Sequence, residues 1–204
     1  MTWPGGLSAV TMGLAIVIGY LIGSIPFGLL LTRLAGLGDI RAIGSGNIGA
    51  TNVLRTGHKG LALATLLLDG GKGAFAVLLI AVMVSPRAGL LAGVAAVVGH
   101  NFPVWLRFKG GKGMATTLGT MLAALPIAGA LSCVSWAITF AIFRFSSLAA
   151  LVALALGPVF ALALGDRPAA LAFLFLAVLG WIRHRANIRR LIRGEEPKIG
   201  AKKA

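Results

Sequence analysis

The sequence predicts an all-α, polytopic integral membrane protein with seven transmembrane helices, forming a single domain over residues 1–204. Three observations predict it. Hydrophobic residues make up 58% of the chain and charged ones 12%, a balance that belongs to the membrane class. No Asp, Glu, Lys or Arg occurs in residues 1–32, 88–106, 113–143 or 145–165, and a spanning helix needs about 20 mostly apolar residues. The basic residues gather in the breaks between these runs. A formal charge of +14 would point to nucleic acid in a soluble protein. Lys and Arg in cytoplasmic loops account for it more simply, so no nucleic-acid partner is expected.

Span one ends near Arg33. It lacks the positively charged start of a secretory signal, so it is expected to remain as a helix. A polar loop follows with Arg33, Asp39, Arg41, Arg55, His58 and Lys59. Span two covers roughly Leu61 to Val84 and is apolar except for Asp69-Gly70-Gly71-Lys72. Ser85-Pro86-Arg87 reads as a short turn, and span three runs from Ala88 to Leu106, with Trp105 suited to the interface.

Gly113 to Phe143 is a run of 31 uncharged residues with Pro126 near its centre. Taken as one span, it sends the basic C-terminal tail to the outer face, against the positive-inside rule. Taken as a hairpin turning near Pro126, with helices of about 15 residues or roughly 22 Å each, it returns Arg144 to the cytoplasm. Span six, Phe145 to Gly165, then leads to Asp166-Arg167-Pro168, and span seven leads back to Arg183. This topology places the N-terminus outside, the C-terminus in the cytoplasm and 16 of the 19 basic residues inside. Arg87 and Arg167 fall outside, and Lys72 lies within a span. Gly-Gly-Lys-Gly occurs at 70–73 and again at 110–113, each read as a loop leading into an outgoing span, which hints at duplication.

Two glycine-studded basic stretches carry the candidate chemistry. The first is Gly44-Ser45-Gly46-Asn47-Ile48-Gly49-Ala50-Thr51-Asn52 with Arg55, and the second is Lys109-Gly110-Gly111-Lys112-Gly113. Glycine lets backbone N–H groups close around an anion, and neighbouring Lys or Arg adds charge-assisted hydrogen bonds to phosphate. A helix starting at Met114 would add its positive dipole end. Lys112 could instead be an interfacial lysine reaching for headgroups. The surrounding glycines, Lys109 and the helix start favour phosphate. Walker A is excluded, since Leu106 and Gly113 stand where it needs Gly and Ser/Thr, so ATP is not indicated. The Ser45 loop is either a polar turn or a substrate loop; its five polar side chains favour the latter.

Asp69 and Lys72, three apart, can pair on one helix face as a structural or a functional pair. His100 and Asn101 read as helix-packing polar groups. If span seven continues, His184, Asn187 and Arg190 share a face, and Ser146 and Ser147 form a further polar cluster after Arg144. Cys133 stands alone, and no cluster has metal-ligand spacing, so no metal or cofactor is expected.

These motifs, together with Gly99-His100-Asn101-Phe102-Pro103, Phe143-Arg144-Phe145-Ser146-Ser147 and His184-Arg185-Ala186-Asn187-Ile188-Arg189-Arg190-Leu191, carry a resemblance. Over essentially its full length the chain resembles the bacterial acyl-phosphate:glycerol-3-phosphate acyltransferase family. The resemblance implies transfer of a fatty acyl group from acyl phosphate to glycerol 3-phosphate, giving lysophosphatidic acid and phosphate, the first step of phospholipid synthesis. By that similarity Ser45, Arg55, Lys112, Ser147, His184 and Asn187 are expected as substrate-site residues, with Ser45, Lys112 and His184 in catalytic roles and the others binding substrate. The loop chemistry above adds Asn47, Lys109, Gly110, Gly111 and Gly113 as substrate-binding residues. Ala186 stands where relatives often carry a polar or acidic residue, and Glu195 and Glu196 are left unassigned. The expected setting is a monomer in the bacterial inner membrane, surrounded by lipid, with its active site at the cytoplasmic face.

Acyl phosphate is a mixed anhydride whose leaving group is already good, so the protein need only align the hydroxyl and stabilise developing charge. The proton acceptor is either a substrate phosphate or His184. The His-x4-Asp pair of soluble-donor acyltransferases is absent, since Leu63, Trp105 and Arg189 follow the three histidines at that spacing. The rival reading is a transporter for a phosphorylated solute, with its site at the midplane.

Overall fold

Helices make up the fold in the computed structural model, which describes residues 8–44 and 46–200. The chain divides into two compact units, Met1–Ala124 and Leu125–Ala204.

In the first unit, α1 (Ala9–Gly23) is capped by Ser8, whose Oγ accepts the Thr11 N–H at 3.1 Å. Pro26 has no N–H to continue the ladder, so the helix breaks at Ser24-Ile25-Pro26 before α2 (Phe27–Leu34). Gly19 and Gly23 of α1 lie against Ala92 and Ala96 of the later helix over residues 86–101 so closely that an added Cβ would overlap their backbone. Small residues permit this approach where lipid supplies no hydrophobic drive between helices. The polar segment folds as two short 3₁₀ turns, Ile40–Ala42 and Leu54–Thr56, flanking α3 (Ala50–Val53). Leu29, Ile40, Ile48, Val53 and Ala62 pack together beneath it. Next comes α4 (Lys59–Met83). Ser85 then caps α5 (Pro86–Asn101), accepting the Ala88 N–H at 3.2 Å, with Pro86 in the first turn. A 3₁₀ turn at Val104–Leu106 and the second glycine loop lead to α6 (Met114–Ala124).

The second unit comprises α7 (Pro126–Phe143), α8 (Ser146–Ala163), α9 (Arg167–Arg183) and α10 (Arg185–Ile192). Ala149, Ala150, Ala153 and Leu154 of α8 and Phe173, Leu176 and Ala177 of α9 are buried. The Trp181 indole N–H reaches the Leu151 carbonyl at 3.2 Å, tying α9 to α8.

Among the described residues five helical stretches are long and apolar enough to cross a membrane, or six if the bent pair α9–α10 counts as one. Four of the five match the sequence-derived spans one, two, three and six closely, with α1 and α2 together forming the first, Ala9–Leu34, and Pro126–Phe143 is the fifth. Large apolar side chains stay exposed along them, including Leu14, Leu67, Val82, Ile138 and Leu171, as a lipid-facing surface requires.

Three expectations need correction. The break at Leu125-Pro126 is present, but α6 has 11 residues and α7 has 18 rather than about 15 each. Residues 70–73 lie in the middle of α4, so they are not a counterpart of the 110–113 loop. The chain also bends by 63° between Arg183 and Arg185, so no single helix carries His184, Asn187 and Arg190 on one face.

Candidate active site

The first glycine loop is held from inside by Asn52, which is 2% exposed. Its Nδ2 donates to the carbonyls of Ile40, Ile43 and Asn47 at 2.9, 3.0 and 2.8 Å. Asn47 Oδ1 accepts the Gly49 N–H at 3.0 Å, a local turn that shapes the loop. Arg55 Nη1 stands 3.5 Å from Asn52 Oδ1, and its guanidinium lies against Gly44, where a Cβ would crowd it. Gly44 has φ +58°, which also favours glycine. Asn52 is therefore a scaffold residue, and Arg55 is the exposed cation of this loop. Ser45 lies outside the described residues.

The second loop is stapled to the end of α5. The Gly111 N–H donates to the His100 carbonyl at 3.0 Å and the Gly110 N–H to the Asn101 carbonyl at 3.2 Å. Tyr20 Oη donates to the Phe102 carbonyl at 2.7 Å. These glycines thus meet α5 carbonyls rather than opening all their amides outward. Their missing side chains allow close packing: a Cβ on Gly111 would overlap His100 Nε2, and one on Gly110 would overlap the His100 carbonyl and Pro103. Arg107 and Phe108 both adopt left-handed backbone, with φ of 51° and 62°, a conformation costing roughly 1–2 kcal/mol per residue. Such strain held beside a candidate loop is a functional signal. Lys109 is exposed and Lys112 half-buried, one residue before Gly113, with φ +78°, and the start of α6. Lys112 thus sits at a helix N-terminus, where the dipole and free N–H groups favour an anion.

In the second unit the predicted residues gather on one that the sequence left unassigned. Glu196 Oε1 accepts from Ser147 Oγ and from Asn187 Nδ2, each at 2.6 Å, and Oε2 accepts from Arg190 Nε at 2.6 Å. Burial alone would raise the Glu196 carboxyl. The bonds from Ser147, Asn187 and Arg190, with the Arg190 charge, outweigh it and hold the group below the usual carboxylate range. The tail is latched as well: the Ile199 N–H donates to the Arg144 carbonyl at 3.0 Å, and Arg144 Nη2 to the Ile199 carbonyl at 3.3 Å. The acidic pair Glu195-Glu196 in an otherwise basic tail was the available signal, because a carboxylate among cations can accept charge-assisted hydrogen bonds.

His184 is buried and sits at the bend between α9 and α10. Its Nδ1 lies 2.7 Å from the Gly180 carbonyl, which can only accept. Nδ1 therefore carries a hydrogen, and in the neutral ring Nε2 holds the lone pair. Asn47, Arg55, Lys109 and the glycines through Gly113 belong to the first unit, while Ser147, His184 and Asn187 belong to the second. Among the described residues no cluster of three or more His, Cys, Asp or Glu could hold a metal ion.

Residues 13–194 match the family model described as glycerol-3-phosphate acyltransferase. The glycerol-3-phosphate acyltransferase of Rhodospirillum rubrum is 60% identical over 97% of this chain and 95% of its own length. That of Paramagnetospirillum magneticum is 65% identical, covering 97% and 96%. Among solved structures, PlsY (YgiH), described as an integral membrane glycerol 3-phosphate acyltransferase in its glycerol 3-phosphate form, superposes with a TM-score of 0.88 at 35% identity. That match covers 93% of this chain and 96% of the other. Its lysophosphatidic acid form superposes at 0.85 and 34% identity, covering 93% and 95%. On this evidence of sequence and fold, the chain belongs to the glycerol-3-phosphate acyltransferase family.

Proposed function

We propose that the chain transfers a fatty acyl group from acyl phosphate to glycerol 3-phosphate, giving lysophosphatidic acid and inorganic phosphate. The observation that carries the donor assignment is the state of the carboxylates. Glu196 is held ionised by three hydrogen bonds, and Asp69 is paired with Lys72 at 2.8 Å, so neither is a ready general base. A site short of a strong base suits a donor that is already activated, and a mixed anhydride is one. The glycerol 3-phosphate form of the solved relative supports the acceptor, and its lysophosphatidic acid form supports the product.

In the proposed reaction the glycerol 3-phosphate hydroxyl oxygen bonds to the acyl carbonyl carbon. The bond from that carbon to the bridging oxygen breaks, phosphate leaves, and the hydroxyl proton passes to a substrate phosphate. Lys112, Lys109 and Arg55 bind phosphate oxygens and stabilise developing charge, on a loop that Gly110 and Gly111 hold against α5 and Gly113 turns into α6. Ser45 and Asn47 position substrate from the first loop. Ser147, His184 and Asn187 orient groups in the second unit, with Glu196 fixing Ser147 and Asn187. The whole chain acts as one acyltransferase domain, a monomer needing no cofactor or metal. It crosses the bacterial inner membrane seven times, with its N-terminus outside and the active site at the cytoplasmic face. The positive-inside distribution supports that orientation.

Purified protein supplied with glycerol 3-phosphate and either acyl phosphate, acyl coenzyme A or an acyl carrier protein thioester tests the donor. Phosphate release matched by lysophosphatidic acid, with acyl phosphate only, is expected. Comparable turnover with a thioester donor would reject the assignment.

A further inference from the structure

A cluster of ionisable groups lies buried within the first unit, outside the proposed substrate residues. Asp69, Lys72 and His100 are 2%, 4% and 4% exposed. Ionisable groups inside a spanning segment are costly, and they persist where they are paired and do something. Lys72 Nζ contacts the Ile25 carbonyl at 2.7 Å, Asp69 Oδ1 at 2.8 Å and His100 Nδ1 at 2.9 Å. It also lies 5.7 Å from the centroid of the Phe27 ring, within cation–π range. An ammonium has three hydrogens and no acceptor, and three acceptors stand around this one.

Asp69 Oδ1 and His100 Nδ1 are 3.6 Å apart, too far for a direct hydrogen bond, and both face the same ammonium. His100 Nδ1 accepts from Lys72, so the hydrogen of the neutral ring sits on Nε2. That atom is the one a Cβ on Gly111 would overlap. The backbone carbonyl of the same histidine accepts the Gly111 N–H. His100 thus braces the second glycine loop with its ring and with its main chain, and Lys72 fixes the ring. The Ile25 carbonyl that completes the arrangement sits beside Pro26, where α1 and α2 part. The same turns of α4 grip α6. A Cβ on Gly119 would overlap the Gly70 carbonyl, and one on Gly73 would overlap the Thr116 carbonyl.

We infer that Asp69, Lys72 and His100 are positioning residues: a buried carboxylate–ammonium–imidazole chain that sets the Lys109–Gly113 loop, and through it Lys112, for its phosphate substrate. The inference rests on the proposed phosphate role of that loop. Misplacing a binding loop by about an ångström can cost on the order of 10²-fold in rate or affinity.

The test uses the intact protein in lipid nanodiscs and the double variant Asp69→Asn with Lys72→Met, which removes both charges together and avoids stranding one. The double variant should raise the KM of one phosphate substrate by about 10-fold or more, with the other within about twofold, as a local change in the loop requires. A uniform fall in turnover with both KM values unchanged would mean a merely structural pair and overturn the inference. Should the double variant fail to fold, nitrogen-15 NMR of the unmodified protein still decides. It should show His100 as the neutral tautomer with hydrogen on Nε2, and hydrogen on Nδ1 would overturn the inference. Wild-type protein that turns over no acyl phosphate would reject the donor assignment instead, leaving the tautomer measurement as the arbiter of the brace.

Discussion

Replacing Glu196 by glutamine should unlatch the C-terminal tail. The amide keeps the carboxylate's shape, but it turns an N–H group towards Arg190 Nε, which is itself a donor. One charge-assisted bond is lost, and those from Ser147 and Asn187 fall to neutral strength. Bonds to charged groups contribute about 1.5–3 kcal/mol and neutral ones about 1 kcal/mol. The Glu196 side chain is 7% exposed but Arg190 is 35% exposed, so solvent already weakens that pair. The net loss is about 2 kcal/mol, or roughly a 30-fold rise in the open tail. Hydrogen exchange at the Ile199 amide, which donates to the Arg144 carbonyl, reads that opening directly. Exchange should accelerate by about the same factor in Glu196→Gln and hardly at all in Glu195→Gln, whose side chain is exposed. The sign with pH follows from the lowered Glu196 pKa. The carboxylate's contribution is fully present above the ordinary glutamate value of about 4.3 and fades as pH falls through the lower, folded one. Glu196→Gln should lack that acid dependence. Identical Ile199 exchange in wild type and Glu196→Gln would refute the latch.

Lys112→Ala should lower turnover by about 10²–10³-fold, the usual effect of losing one preorganised donor. Near-normal activity would make Lys112 an interfacial lysine. His184→Gln should retain part of the activity with the acidic limb of the pH–rate profile intact, because the titrating group is then a substrate phosphate with a second pKa of about 6. A flat profile in that variant would assign the base to His184 Nε2. A reporter fused after Ala204 should be cytoplasmic and one near Pro4 external; both on one side would sink the seven-span topology.

Spans one, two, three and six were legible because hydropathy is summed over about 20 residues and survives local error. The breaks at Ser85-Pro86 and Pro126 were legible because proline lacks an N–H and fits the first turn of a new helix, although α8 carries Pro158 in its interior. The 63° bend at His184 was not, since neither proline nor glycine marks it. Glu196 was hidden for a different reason. Its importance lies in contacts with Ser147, 49 residues earlier, and no local pattern encodes a pairing across that distance. Gly110 and Gly111 were located but explained incompletely. Anion binding and close packing both demand glycine, and only the neighbouring His100 and Pro103 reveal the second cause. His100 itself read as a packing group, because its partners Asp69 and Lys72 lie on another helix.

Acyl phosphate carrying oxygen-18 at the bridging position tests the central claim most directly. Attack by the glycerol 3-phosphate hydroxyl at the acyl carbon breaks the bond between that carbon and the bridging oxygen. Mass spectrometry should therefore find the label in the released phosphate, with one lysophosphatidic acid formed per phosphate and none of the label in the lipid. Label retained in the acyl product, or phosphate released without lysophosphatidic acid, would contradict it.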